Sequence, residues 1–147
     1  MAYSNIPFFT QKTHTAGAVL SAASLWTPSN TVSTNLVTLF TAGANGSRIT
    51  SLFLATTDSA ANDVYIVLDV GGAGTNFVII AQVHVPLTSG TAASVPCVDA
   101  LALAGFPIDN NGKNIIQLAA SDKVWIGTVA NMTASKVLFA TAQGEDY

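Results

Sequence analysis

Apolar and polar residues alternate in short runs along most of this chain. Val64, Ile66, Leu68 and Val70 share one side of an extended segment, with Asp63, Tyr65, Val67 and Asp69 opposite. Phe77, Ile79, Ala81, Val83 and Val85 likewise oppose Asn76, Val78, Ile80, Gln82 and His84. A period of two marks a β-strand, because successive side chains of a strand point to opposite faces. Further strand-like runs cover residues 18–26, 35–40, 48–56, 95–103, 114–118, 123–129 and 136–142. Turn formers separate them, among them Pro28-Ser-Asn30, Gly43-Ala-Asn-Gly46, Gly71-Gly-Ala-Gly74 and Asp109-Asn-Asn-Gly112. Short strands recurring every ~8–12 residues predict an all-β chain, an antiparallel β-sandwich of jelly-roll type. The one helical candidate, residues 98–105, ends in Gly105-Phe-Pro107 and predicts a single turn.

Residues 1–16 follow no such period. They hold Pro7, the adjacent aromatics Phe8 and Phe9, and polar Gln11, Lys12 and His14. The chain therefore divides into an extended N-terminal arm, 1–16, and a β-sandwich domain, 17–147. Polar termini fray, whereas Tyr3, Ile6, Phe8 and Phe9 give this arm apolar surface to bury. The sandwich has an apolar surplus of its own. Val67, Val78 and Ile80 fall on the face expected to be polar, and exposed apolar patches mark interfaces. Tyr3, Ile6, Phe8, Phe9, Val67, Val78 and Ile80 are the expected partner-binding residues, and a homo-oligomer, with a trimer as its first candidate, is the expected state.

Composition sharpens this picture. Only 9% of the residues are charged and 50% are hydrophobic, whereas an ordinary domain is about a quarter charged. No apolar run approaches the ~18–20 residues of a spanning helix, so no membrane partner is expected. The net charge is −3, and the five basic residues, Lys12, Arg48, Lys113, Lys123 and Lys136, are scattered. Nucleic acid needs clustered cations to displace its counterions, so it is not an expected partner either. The N-terminus lacks the basic and continuous apolar regions of a secretory signal, so synthesis in a cytoplasm is expected, with any exit from the cell by another route such as lysis. Little charge and abundant apolar surface fit an assembly or structural protein better than an enzyme.

Candidate chemistry is sparse. His14, His84 and Cys97 lie far apart without metal-ligand spacing. No G-x-S-x-G elbow occurs, so no nucleophilic catalysis is expected. Gly71-Gly-Ala-Gly74 lacks the Lys and following helix of a phosphate loop and reads as a hairpin tip. Asp58, Asn62 and Asp63 could offer oxygens to Ca²⁺, yet they do not match a calcium-loop pattern and are ordinary turn residues. Asn45-Gly-Ser and Asn131-Met-Thr match glycosylation sequons, which matter only on a secretory route. Trp26, Trp125, Tyr65 and Tyr3 could form a sugar-stacking platform, with core or interface packing the plainer role. The expectation is no metal, no cofactor and no catalytic centre.

One resemblance organises these fragments. Ile49-Thr-Ser-Leu52 follows the turn at Gly46; Leu118-Ala-Ala-Ser-Asp122-Lys-Val124 forms a late strand entry; and Gly144-Glu-Asp-Tyr147 closes the chain. Over residues 43–147 this order resembles the small β-sandwich structural proteins of tailed bacteriophages. The resemblance implies a virion structural protein. Such sandwiches serve as head decoration (cement) proteins, head–tail adaptors and fibre-base modules. Composition favours the first: a capsid decoration protein that binds between major capsid protein subunits on the virion surface after synthesis in the host cytoplasm. The alternative is a receptor- or carbohydrate-binding module of a tail or fibre.

Overall fold

The computed structural model describes residues 12–22, 24–29 and 31–147. Nine strands form two antiparallel sheets: β1 (Lys12–Ser21), β2 (Val37–Thr41), β3 (Ser47–Thr56), β4 (Asn62–Asp69), β5 (Phe77–Val85), β6 (Val98–Asp99), β7 (Ile116–Leu118), β8 (Lys123–Thr128) and β9 (Val137–Asp146). One sheet runs β1-β9-β3-β6, with β7 also on β3; the other runs β2-β8-β4-β5. β6 and β7 pair with opposite ends of β3 and act as one interrupted strand. The pairs are then nested: β4 with β5, β3 with β6 and β7, β2 with β8, β1 with β9. A long hairpin wound in this way into two sheets is a jelly roll. The fold class expected from the alternation is the one observed.

The tip of the wound hairpin is Gly71-Gly-Ala-Gly74. The Asp69 carboxylate accepts from the Gly74 N–H, Asp122 accepts from the Gly71 N–H, and Lys123 Nζ donates to the Gly72 carbonyl. Gly72 has φ +67°, and a Cβ there would collide with the Ser121 carbonyl oxygen. The glycines thus serve a hairpin tip, not a phosphate.

Between the sheets lies the main core, with Leu20, Phe40, Leu52, Leu54, Ile66 and Ile126 fully buried. Alternation accounts for it: on β9 Leu138, Ala140 and Ala142 face inward while Phe139, Thr141 and Gln143 face out. The single turn expected near residue 100 is α1 (Ala100–Ala104), where Asp99 accepts from Leu101 N–H and Ala102 N–H, and Gly105 closes the helix at φ 67°.

Two expectations are corrected. β1 starts at Lys12, so residues 12–16 of the expected arm are a strand laddered to β9 from Asp146 to Ala142. Backbone pairing made this strand, since Lys-Thr-His-Thr offers no apolar alternation. Residues 95–103, read as one strand, pair only through Val98–Asp99 before turning into α1.

Candidate functional site

The outer faces of the two sheets are built from the same strand chemistry. On β2-β8-β4-β5, cross-strand pairs set Trp125 beside Val67 and Val67 beside Ile79, with Phe77 beside Asp69. Residues 24–29 and 31–36 fold over this face. The segment is held at its start by Trp26 N–H to the Thr128 carbonyl and Thr128 N–H to the Ser24 carbonyl. Its loop closes on itself through Trp26 Nε1 to the Val32 carbonyl and Asn35 Nδ2 to the Leu25 carbonyl. Trp26, Leu36, Val67 and Phe77 form a second buried cluster, flanked by Tyr65 and Trp125. Gly127 lets the segment lie close: a Cβ there would come within 2.8 Å of Leu36 Cδ2 and 3.0 Å of Trp26 Cβ.

The expected exposed face of Val67, Val78 and Ile80 is therefore corrected. Val67 is 0% exposed because the chain's own residues 24–29 and 31–36 cover it. A bulge opposite Ile66 and Val67 shifts the β4–β5 register, so Ile79 pairs with Val67 but Ala81 with Ile66. Ile80, the extra residue, packs half-buried against the main core. Val78 stays exposed. Tyr3, Ile6, Phe8 and Phe9 lie outside the described residues.

On the β1-β9-β3 face the covering is absent among the described residues. Val19 pairs with Phe139 and Phe139 with Ala55; one row along, Thr141 pairs with Phe53. Val19 is 53% exposed, Phe53 44% and Phe139 40%. Directly paired side chains on one face stand about 5 Å apart and diagonal ones about 7–8 Å, so Val19 adjoins Phe139 and Phe53 lies diagonal to it in one apolar patch. The same face turns polar toward the chain ends. There Arg48 holds Glu145 in an ion pair of 2.6 Å, and the bond to Glu145 raises the guanidinium pKa above its ordinary value. On the inner side, burial pushes the Asp146 carboxyl up, but hydrogen bonds from Ser47 and His14 outweigh it and the pKa is lowered.

Sequence reasoning missed Val19, Phe53 and Phe139. The signal was present: Leu52-Phe-Leu54 and Leu138-Phe139 are apolar on consecutive positions, hence on both faces of their strands.

The remaining candidates are placed as follows. His84 Nδ1 lies 2.8 Å from Asp63 Oδ1 on the surface, and His14 Nδ1 lies 3.4 Å from Asp146 Oδ1. Cys97 is exposed. Among the described residues no three His, Cys, Asp or Glu side chains gather as metal ligands do. Asp58 is fully buried and accepts from Ala60 N–H, Asn62 Nδ2 and Thr133 N–H. Burial pushes its pKa up, yet the bonds from Thr133, Ala60 and Asn62 win and hold it far below the usual carboxylate range. It clamps two loops together. Trp26–Tyr65 and Phe77–Trp125 meet edge to face, at 82° and 88°, so these four rings do not form a flat sugar platform. No helix of the described residues is long and apolar enough to cross a membrane.

No family model matches the chain, and no curated protein matches it. Among solved structures it is similar to a chain titled "Cyanophage Pam1 capsid asymmetric unit", at 9% identity and TM-score 0.42, over 100% of this chain and 93% of that one. A likeness this distant carries no argument about fold or function.

Proposed function

We propose that this chain is a virion structural protein, a capsid decoration (cement) protein that binds between major capsid protein subunits. The observation that carries the reading is the patch of Val19, Phe53 and Phe139, uncovered among the described residues, on a sheet whose counterpart is covered. Burying one such side chain contributes about 1.5–3 kcal/mol, so a few of them fix a small domain to a partner. With only 9% charged residues, the contact depends little on ionic strength, because apolar burial is not screened as surface ion pairs are. Jelly rolls recur in capsid and lectin domains, an association of architecture and not of chemistry. In this reading the protein acts as a homo-oligomer, expected to be a trimer, on the outside of a head assembled in the host cytoplasm, and performs no catalysis. Quantitative mass spectrometry of purified virions tests it: copy number comparable to the shell subunits is expected, and a few copies per particle would assign the chain to the tail.

One observation favours the alternative of a receptor- or carbohydrate-binding module. Beside Phe53 lies a cleft of about 350 Å³ whose lining includes Leu101 and the polar Thr50, Ser51, Asp99, Lys113 and Asn114, so that an aromatic and an aliphatic side chain stand among polar groups. Glycan-array binding lost on Phe53→Ala would select that reading over decoration.

A further inference from the structure

The sheet edges of this sandwich are guarded unequally. β1 carries Lys12 and His14, β2 has five residues and a register break, and β6 and β7 have two and three residues. Charge, bulges and brevity are the usual devices that keep an unpaired edge from recruiting another strand. β5 has few of them. Its nine residues, Phe77–Val85, pair only with β4 among the described residues, and they contain no Lys, Arg, Asp, Glu or Pro. The bulge at Ile80 and His84 near its C-terminal end protect it in part, and both lie beyond Phe77, Val78 and Ile79. Val78 and Ile79 are 46% and 41% exposed. Alongside runs an apolar groove of about 380 Å³ lined by Trp26, Pro28, Ser29, Phe77, Val78 and Ile79.

The sequence also supplies an occupant. Residues 1–11 contain no charged side chain and include Tyr3, Ile6, Phe8 and Phe9. We infer that residues 3–9 of one copy add as a strand to the β5 edge of a second copy, with aromatic side chains entering the groove at Trp26 and Phe77. The inference rests on the reading that the chain assembles with copies of itself. Connections across one end of the sandwich place the donor segment. Lys12 pairs with Asp146, Gly43 lies against Asp146, Ala42 N–H donates to the Asp122 carbonyl, and Lys123 pairs with Asp69, which pairs with Phe77. The root of residues 1–11 and the start of β5 therefore share one end but lie on opposite edges.

Reach favours a neighbour's β5 over the chain's own, which only residues 1–6 could meet. Three strand spacings and one sheet spacing separate the two edges by roughly 17 Å. At ~3.3 Å per residue, residues 1–11 reach about 36 Å. Crossing its own sandwich would use about five residues and leave Phe8 and Phe9 over the end, away from the groove. A neighbouring copy's β5 accepts all of 3–9.

Disulfide trapping tests this in the full chain with Cys97→Ser as background. Chains carrying Phe8→Cys or Phe9→Cys are mixed with chains carrying Ile79→Cys under mild oxidation, and circular dichroism checks each fold. The expected product is a covalent dimer at twice the 15.1-kDa chain mass, formed by one of the two arm variants and largely lost for the other, because adjacent strand residues face opposite ways. Equal yields from both, a preference for Val19→Cys over Ile79→Cys, crosslinking only within a doubly substituted chain, or no dimer would each overturn the inference. Should trapping fail while Phe53→Thr with Phe139→Thr still strips the protein from particles, strand exchange falls and decoration stands. Should trapping succeed while that double variant stays on particles, strand exchange stands and decoration through this face falls.

Discussion

Tyr65, Val67, Phe77 and Trp125 on one outer face lie under or beside Trp26 and Leu36, whereas Val19, Phe53 and Phe139 on the other remain 40–53% exposed. Both faces come from strands that are apolar on two sides. The chain commits residues 24–29 and 31–36 to covering the first and nothing among the described residues to the second. A surplus of apolar positions in a strand is therefore ambiguous until the loops are placed. It means a second core in one sheet and an open surface in the other.

The comparison breaks most visibly if the cover is removed. Trp26→Ala deletes the central ring of the second cluster and its bond to the Val32 carbonyl. A loss of about 3–5 kcal/mol is expected in urea unfolding, the usual cost of truncating a buried Trp. A loss below about 1 kcal/mol would mean that residues 24–29 and 31–36 do not hold the face.

Much of this was legible in the sequence. The runs at 48–56, 63–70, 76–85 and 123–129 match β3, β4, β5 and β8 within one or two residues, because alternation survives wherever one face meets the core. The ends of the chain were not legible. Lys12 to Ala16 and Gln143 to Asp146 are joined by a backbone ladder with polar side-chain contacts such as His14–Asp146, which leave no apolar alternation to read. The β5 bulge was invisible too, and it separated Val78 and Ile80 from the face shared with Val67. The cover itself is an irregular segment whose only trace was an isolated Trp26.

Asp58 anchors the loops beyond both faces. Its lowered pKa means that its contribution to stability is present above the ordinary carboxylate pKa near 3.8 and is lost as pH falls below that value. Asp58→Asn should cost about 2–3 kcal/mol at pH 7, since a buried charged acceptor loses several donors. It should also flatten the fall in stability below about pH 4. Equal acid sensitivity in the variant, followed by fluorescence, would show that Asp58 is not the group whose protonation loosens the loops.

Gly127→Ala sharpens the comparison more gently. The added methyl meets Leu36 and Trp26 at 2.8 and 3.0 Å, and overpacking of this kind costs about 1–3 kcal/mol. The expected signature is a lower thermal midpoint with altered Trp fluorescence, and an unchanged midpoint would show that the cover shifts freely.

The smallest effect on the isolated fold belongs to the open face. Phe53→Thr with Phe139→Thr keeps β-forming residues at exposed positions, so stability should change by less than about 1 kcal/mol. Under the proposed function, association is where these two residues act. The decisive measurement is sedimentation of the double variant beside the parent protein, alone and with purified capsid shells. If the open face is the docking surface, the variant stays folded but no longer co-sediments with shells that the parent binds; a variant that binds shells as tightly as the parent would contradict it.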